Sequence, residues 1–207
     1  MVKKSIYRLC IILIALLINA CSLNQSNISS NPILDWPQHQ QELKQLTAFQ
    51  ASGSLAYFDT KSRYYGRFYI KQLAKNEYQL KLTSPIGTSI FSLSVNPFEA
   101  VLTDKNGEKY RNKNVESLVE DLTGMNIPLR NMTDWLIGYA NNNDDKIDDS
   151  GKLSQTQFKQ TDKIWTVTYR KYTDVKFHSN TIDLPSTIFL NSGRSELRLS
   201  INNWKIL

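Results

Sequence analysis

From Phe49 onward, apolar residues recur at every second position, and this period limits the folds open to the chain. A period of two puts one face of an extended strand into a core or cavity and the other into water. Ser52 to Phe58 and Tyr64 to Ile70 read as paired strands around a polar turn at Asp59 to Ser62. Tyr78, Leu80 and Leu82 alternate with Gln79, Lys81 and Thr83, and Phe91, Leu93 and Val95 alternate with Ser92 and Ser94. Val101 and Tyr110 flank Asn106-Gly107, a two-residue hairpin signal because both positions tolerate positive φ. Later, Trp165, Val167 and Tyr169 alternate, and Ile188 and Leu190 lead through Ser192-Gly193 to Leu197, Leu199, Ile201 and Trp204. The count is about nine to eleven antiparallel strands, in one large sheet that curls to protect its edges.

Helical spacing interrupts this pattern. Asp35 can cap a short helix with Pro37 in its first turn, and Trp36, Leu43 and Leu46 share a face. Asn114 can cap a helix carrying Val115, Leu118, Val119 and Leu122, with Gly124 to end it. Leu129, Met132, Trp135 and Leu136 predict a second helix that stops near Gly138, and Asn141 to Ser150 reads as an exposed loop. The expected class is mainly β with inserted helices.

Before the domain, Lys3, Lys4 and Arg8 precede an apolar run from Leu9 to Ile18, then Asn19, Ala20 and Cys21. A small residue directly before a cysteine looks like a bacterial lipobox. There the signal is cut before the cysteine, which receives a diacylglycerol and an N-acyl chain. The run is shorter than the roughly 20 residues of a membrane span. The expected organisation is a lipoprotein-type signal over 1–20, a lipidated N-terminus and Asn/Ser-rich tether over 21–35, and one domain over 36–207. Removing Lys3, Lys4 and Arg8 from the formal +6 leaves 22 Lys and Arg against 19 Asp and Glu, a net +3. So small an excess is a weak argument for nucleic acid or anionic lipid, and no nucleic-acid partner is expected. Cys10 leaves with the signal and Cys21 is lipidated, so no disulfide is expected.

No catalytic constellation stands out. His39, in a Gln-rich helix, and His178, in a polar stretch, lack metal-ligand spacing and read as surface residues. A Gly-x-Ser-x-Gly elbow and a phosphate loop are missing from the sequence. The Asp144-Asp145-Lys146-Ile147-Asp148-Asp149 run does not match a calcium-loop template and reads as a solvated loop. An enzyme is disfavoured, and no cofactor is expected beyond the lipid on Cys21.

Ser84-Pro85-Ile86-Gly87-Thr88 lies between two strands. Pro85 and Gly87 force a turn, which leaves a large β-branched side chain at the tip. Ile86 either folds inward to join the core or projects to enter something apolar.

The chain resembles the LolB family of outer-membrane lipoproteins. The matching stretches are Trp36 with the Gln-rich helix, Gly53 to Tyr57, Gly66-Arg67-Phe68, Tyr78 to Leu82 and Ser84-Pro85-Ile86-Gly87. They continue with Leu122-Thr123-Gly124-Met125-Asn126-Ile127-Pro128-Leu129, Trp135-Leu136-Ile137-Gly138, Trp165 to Tyr169, Leu184-Pro185 and Trp204. The chain has Ile86 where the family commonly has Leu, and Ile70 where it often has Trp. The resemblance implies an unclosed antiparallel β-barrel capped by helices over an apolar cavity. Candidates for the lining are Phe68, Ile70, Leu80, Leu82, Phe91, Leu93, Trp135, Trp165 and Trp204.

The resemblance also implies a function. Acylated lipoproteins would arrive from a periplasmic carrier of the LolA type, occupy the cavity and pass to the inner leaflet of the outer membrane. Pro85, Ile86 and Gly87 would promote that last step. A monomer is the default expectation. Ser22, rather than Asp, after Cys21 favours the outer membrane as destination. The physics suits the task, since each methylene exposed to water costs about 0.8 kcal/mol and a triacylated cargo has tens of them. Two rival readings are an assembly lipoprotein that binds a protein partner and a lipoprotein hydrolase.

Overall fold

The computed structural model describes residues 35–160 and 162–207. The signal, Cys21 and nearly all of the tether lie outside them. The chain opens with α1 (Trp36–Lys44), then runs through β1 (Phe49–Phe58), β2 (Arg63–Ala74), β3 (Glu77–Thr83), β4 (Ser89–Val95), β5 (Ala100–Asp104) and β6 (Lys109–Asn112). Two helices follow, α2 (Val115–Thr123) and α3 (Met132–Ile137). The remainder is β7 (Lys146–Ile147), β8 (Leu153–Gln160), β9 (Lys163–Phe177), β10 (Asn180–Asn191) and β11 (Glu196–Ile206).

All eleven strands form one sheet in the order β6-β5-β4-β3-β2-β1-β11-β10-β9-β8-β7. Every neighbouring pair is antiparallel. The sheet is therefore two meanders joined along β1 and β11, with β6 and β7 as free edges. Gly53 sits on that seam, at a register shift opposite Ile201. A Cβ there would lie 1.9 Å from the Ser200 carbonyl oxygen, so only glycine lets the two backbones approach this closely.

The alternation sorts the two faces. Phe68 and Ile70 on β2 are buried while Arg67 and Tyr69 are exposed, and Leu197 and Leu199 on β11 repeat the pattern. The segment joining the two edge strands carries α2 and α3, and inward-facing tyrosines bind it to the sheet. Tyr64 Oη donates to Thr123 O (2.9 Å), Tyr78 Oη to Leu129 O (3.2 Å) and Tyr169 Oη to Trp135 O (2.8 Å). Tyr57 Oη accepts from Asn126 N (3.0 Å). Burial holds the hydroxyls of Tyr57, Tyr78 and Tyr169 above the usual phenol range, so they stay protonated.

The caps follow the sequence. The Asp35 side chain accepts from Gln38 N, that of Asn114 accepts from Ser117 N, and Gly124 and Gly138 end their helices in the left-handed conformation. Three expectations need correction. The last helix begins at Met132, with Asn131 at the N-cap position, and Leu129 lies in the preceding loop after Pro128. The Asn106-Gly107 turn is a three-residue loop in which only Gly107 has positive φ (+89°). His39 is buried, at 1 % exposure, not at the surface. Its ring packs against Trp36 and Tyr172, and its Nε2–H donates to Asp183 O (3.0 Å). His178 is exposed, in the tight turn between β9 and β10.

Candidate functional site: an apolar cavity and a projecting loop

The concave face and the helical segment enclose a cavity. Five consecutive strands build its floor: Phe91 on β4, Leu80 and Leu82 on β3, Phe68 and Ile70 on β2, Leu55 on β1, and Leu197 and Leu199 on β11. The roof is Ile127 and Leu129 from the loop before α3, with Met132, Trp135 and Leu136 from α3 itself. All thirteen lining residues are apolar. The one polar atom that Trp135 brings, its indole N–H, donates to Pro128 O (3.0 Å) and so does not need the cavity.

Of the nine residues predicted for the lining, six are in these walls: Phe68, Ile70, Leu80, Leu82, Phe91 and Trp135. The other three belong to the surrounding core. Leu93 is 1 % exposed and pairs with Leu80 and Leu102, toward the strands that α2 covers. Trp165 is fully buried on β9, two strands beyond the floor. Trp204 packs on Phe49 near the other end of β11, with its N–H donating to Pro185 O (3.0 Å). Leu55, Leu197 and Leu199 carry the same alternation as the predicted set and could have been named with it. Ile127 could not, because it lies in a loop with no period.

The void between floor and roof is only ≈ 40 Å³, space for about three water-sized spheres. An acyl chain enters only if α3 and the Ile127–Leu129 loop move away from the sheet. No covalent bond opposes that motion. Among the contacts that hold the roof down are the three bonds that Tyr57, Tyr78 and Tyr169 make to backbone between Asn126 and Trp135.

The Ser84–Thr88 loop projects. Ile86 is 91 % exposed. Gly87 N donates to Ser84 O (2.9 Å), Ser84 N donates to Thr88 O (2.8 Å), and Gly87 has φ +92°. Two other turns have the same pattern. In Asp104–Glu108, Gly107 N donates to Asp104 O and Asp104 N to Glu108 O; in Asp148–Lys152, Gly151 N donates to Asp148 O and Asp148 N to Lys152 O. Each has glycine at its fourth position with positive φ. Their third positions hold Asn106 and Ser150, where the first holds Ile86. The turn thus demands glycine, not isoleucine, and a polar tip would fold as well.

The profile of the family described as "Outer membrane lipoprotein LolB" matches residues 47–204. The chain belongs to the LolB family. The outer-membrane lipoprotein LolB of Yersinia enterocolitica is 36% identical over 208 residues, covering 99% of this chain and 98% of that protein. The LolB of Klebsiella pneumoniae strain 342 is 35% identical over 195 residues, covering 93% and 94%. Among solved structures, a LolA superfamily protein from Nitrosomonas europaea superposes with a TM-score of 0.51 at 10% identity, covering 84% of this chain and 94% of that one. A putative outer membrane lipoprotein-sorting protein domain from Vibrio parahaemolyticus gives 0.51 over 81% and 90%. At such identities the likeness speaks for the fold. LolB membership makes this a lipid-anchored outer-membrane lipoprotein, and the solved structures share its half-barrel fold.

Proposed function

We propose that this LolB-family chain receives acylated lipoproteins from a periplasmic carrier of the LolA type and releases them into the inner leaflet of the outer membrane. The observation that carries this reading is the wholly apolar lining of a cavity under a roof held without covalent bonds. Acyl chains in that cavity would exchange one apolar environment for another, so the hand-over needs no nucleotide and no bond is made or broken. The common fold of this chain and a LolA superfamily protein supports transfer between two cavities of the same kind.

Three parts are assigned roles. Cys21, lipidated, holds the protein at the membrane, and residues 22–35 give the domain its reach. The walls containing Phe68, Ile70, Leu80, Leu82, Phe91 and Trp135 hold acyl chains once the roof lifts. Pro85 and Gly87 fix the turn that presents Ile86 to the leaflet, where one buried side chain contributes about 2–3 kcal/mol. That is too little to drive insertion but enough to disturb lipid packing during delivery.

Ile86→Glu tests the assignment. The tip is solvated, so the variant folds and takes up an acylated peptide as the parent does. Delivery to phosphatidylethanolamine vesicles slows about tenfold or more, because a carboxylate resists entry into the apolar layer. Delivery at the parental rate overturns the role of the loop.

A further inference from the structure

On the convex face, a trough runs beside the projecting loop. Its floor consists of small side chains: Ser54 and Ala56 on β1, Thr187 on β10 and Ser200 on β11. The ladder places them, since Ser54 stands opposite both Arg67 and Ser200, and Ala56 opposite both Tyr65 and Arg198. Arg67 and Tyr65 form one wall, Arg198 and Phe189 the other, and Pro85 closes the rim beside Arg67. The free volume is ≈ 410 Å³, and none of the residues lining it is acidic.

Arg198 is held in place by what surrounds it. The Arg198 guanidinium lies 5.3 Å from the Phe58 ring centroid and 5.4 Å from that of Phe189. Arg170 stacks on Phe189 from β9 at 5.6 Å. Arg198 Nε pairs with Glu196, the carboxylate beside this cluster. Arg67 makes no ion pair among the described residues. A guanidinium fixed on aromatic faces, as that of Arg198 is, loses little freedom on binding an oxyanion, and the planar forks of both arginines match phosphate. Strands β2 and β11 are about 10 Å apart across β1, so both long side chains can reach one group above the small floor.

We propose that this trough binds the phosphate of an anionic phospholipid headgroup in the leaflet that Ile86 enters; the assignment of leaflet rests on the loop reading above. Pro85 belongs to both features, so insertion of the tip brings the trough to headgroup depth. Tyr65 and Phe189 have the amphipathic or aromatic character that suits this layer.

The test uses the full chain in dodecyl maltoside micelles, titrated calorimetrically with dihexanoylphosphatidylglycerol, dihexanoylphosphatidylcholine or inorganic phosphate. The anionic lipid binds about tenfold more tightly than the zwitterionic one, and added salt narrows the difference. Arg67→Gln with Arg198→Gln abolishes the preference. If that pair fails to fold cooperatively, Ser54→Asp, an exposed position on the floor, abolishes it by repulsion with both arginines kept. A preference that survives in whichever variant folds, or none in the parent, overturns the proposal. Inorganic phosphate binding as tightly as the anionic lipid overturns the lipid assignment in favour of a free-anion site. Ile86→Glu keeps the preference, so loss of delivery in that variant and loss of lipid preference report separately on the loop and the trough.

Discussion

His39, on α1, turns a neutral ring toward the β9–β10 hairpin. Burial lowers its pKa from the usual 6.5, outweighing the opposing pull of the Asp183 backbone and of the Asp183 and Glu42 charges; Lys152 lowers it further. Lys152 is itself paired with Asp183 (3.0 Å). The unfolded chain therefore binds a proton more readily than the folded one. The stability from neutral His39 is complete above about pH 6.5 and is lost as pH falls toward the lowered folded value. The expected outcome is a larger drop in unfolding midpoint between pH 7.5 and pH 5.5 for the parent than for His39→Gln, measured by urea titration. Equal drops would mean that other groups set the acid response. The burial was partly legible, because His39 and Leu43 are four apart and share a helix face, but Gln38, Gln40 and Gln41 gave the segment a solvated look. Ile86 shows the complementary limit. Proline and glycine announced its turn, but its direction depends on the free end of a hairpin, which local sequence does not encode.

At the scale of elements, the roof is the part that the proposed function requires to move. Helix α3 has six residues, too few to be stable by itself in water. Packing against the floor and the tyrosine bonds maintain it. Amides of Met132–Ile137 are expected to exchange with deuterium well before those of β1 and β11, and to exchange at a changed rate when an acylated peptide is bound. Exchange in the roof as slow as in β1, unaltered by ligand, would rule out the opening. These two helices and most central strands were readable because one side of each is buried. Strand β8, with Gln155, Gln157 and Gln160, and the far half of β9, from Lys171 to Lys176, were not. They lie toward an edge or overhang, bury little, and so carry little apolar alternation.

For the whole molecule, the lipobox reading puts attachment and folding in separate parts of the chain. Cys21→Ala is expected to move the protein from the membrane pellet to the soluble fraction after fractionation, with its circular dichroism spectrum unchanged; continued sedimentation with membranes would refute the lipobox reading. The apolar alternation foretold the curved sheet, and the resemblance supplied its unclosed form. The course of the cavity across β4, β3, β2, β1 and β11 was not visible, because β1 and β11 meet only through a pairing between opposite ends of the sequence.

That pairing has a consequence for how such a protein is made. A chain emerging from its N-terminus presents β1 first and β11 last, so β1 has a neighbour on one side only until the final eleven-residue strand arrives. An unpaired central strand is a template for aggregation, and contacts this distant in sequence form slowly. Until that strand is made, β1 therefore keeps an open edge that only pairing with β11 closes.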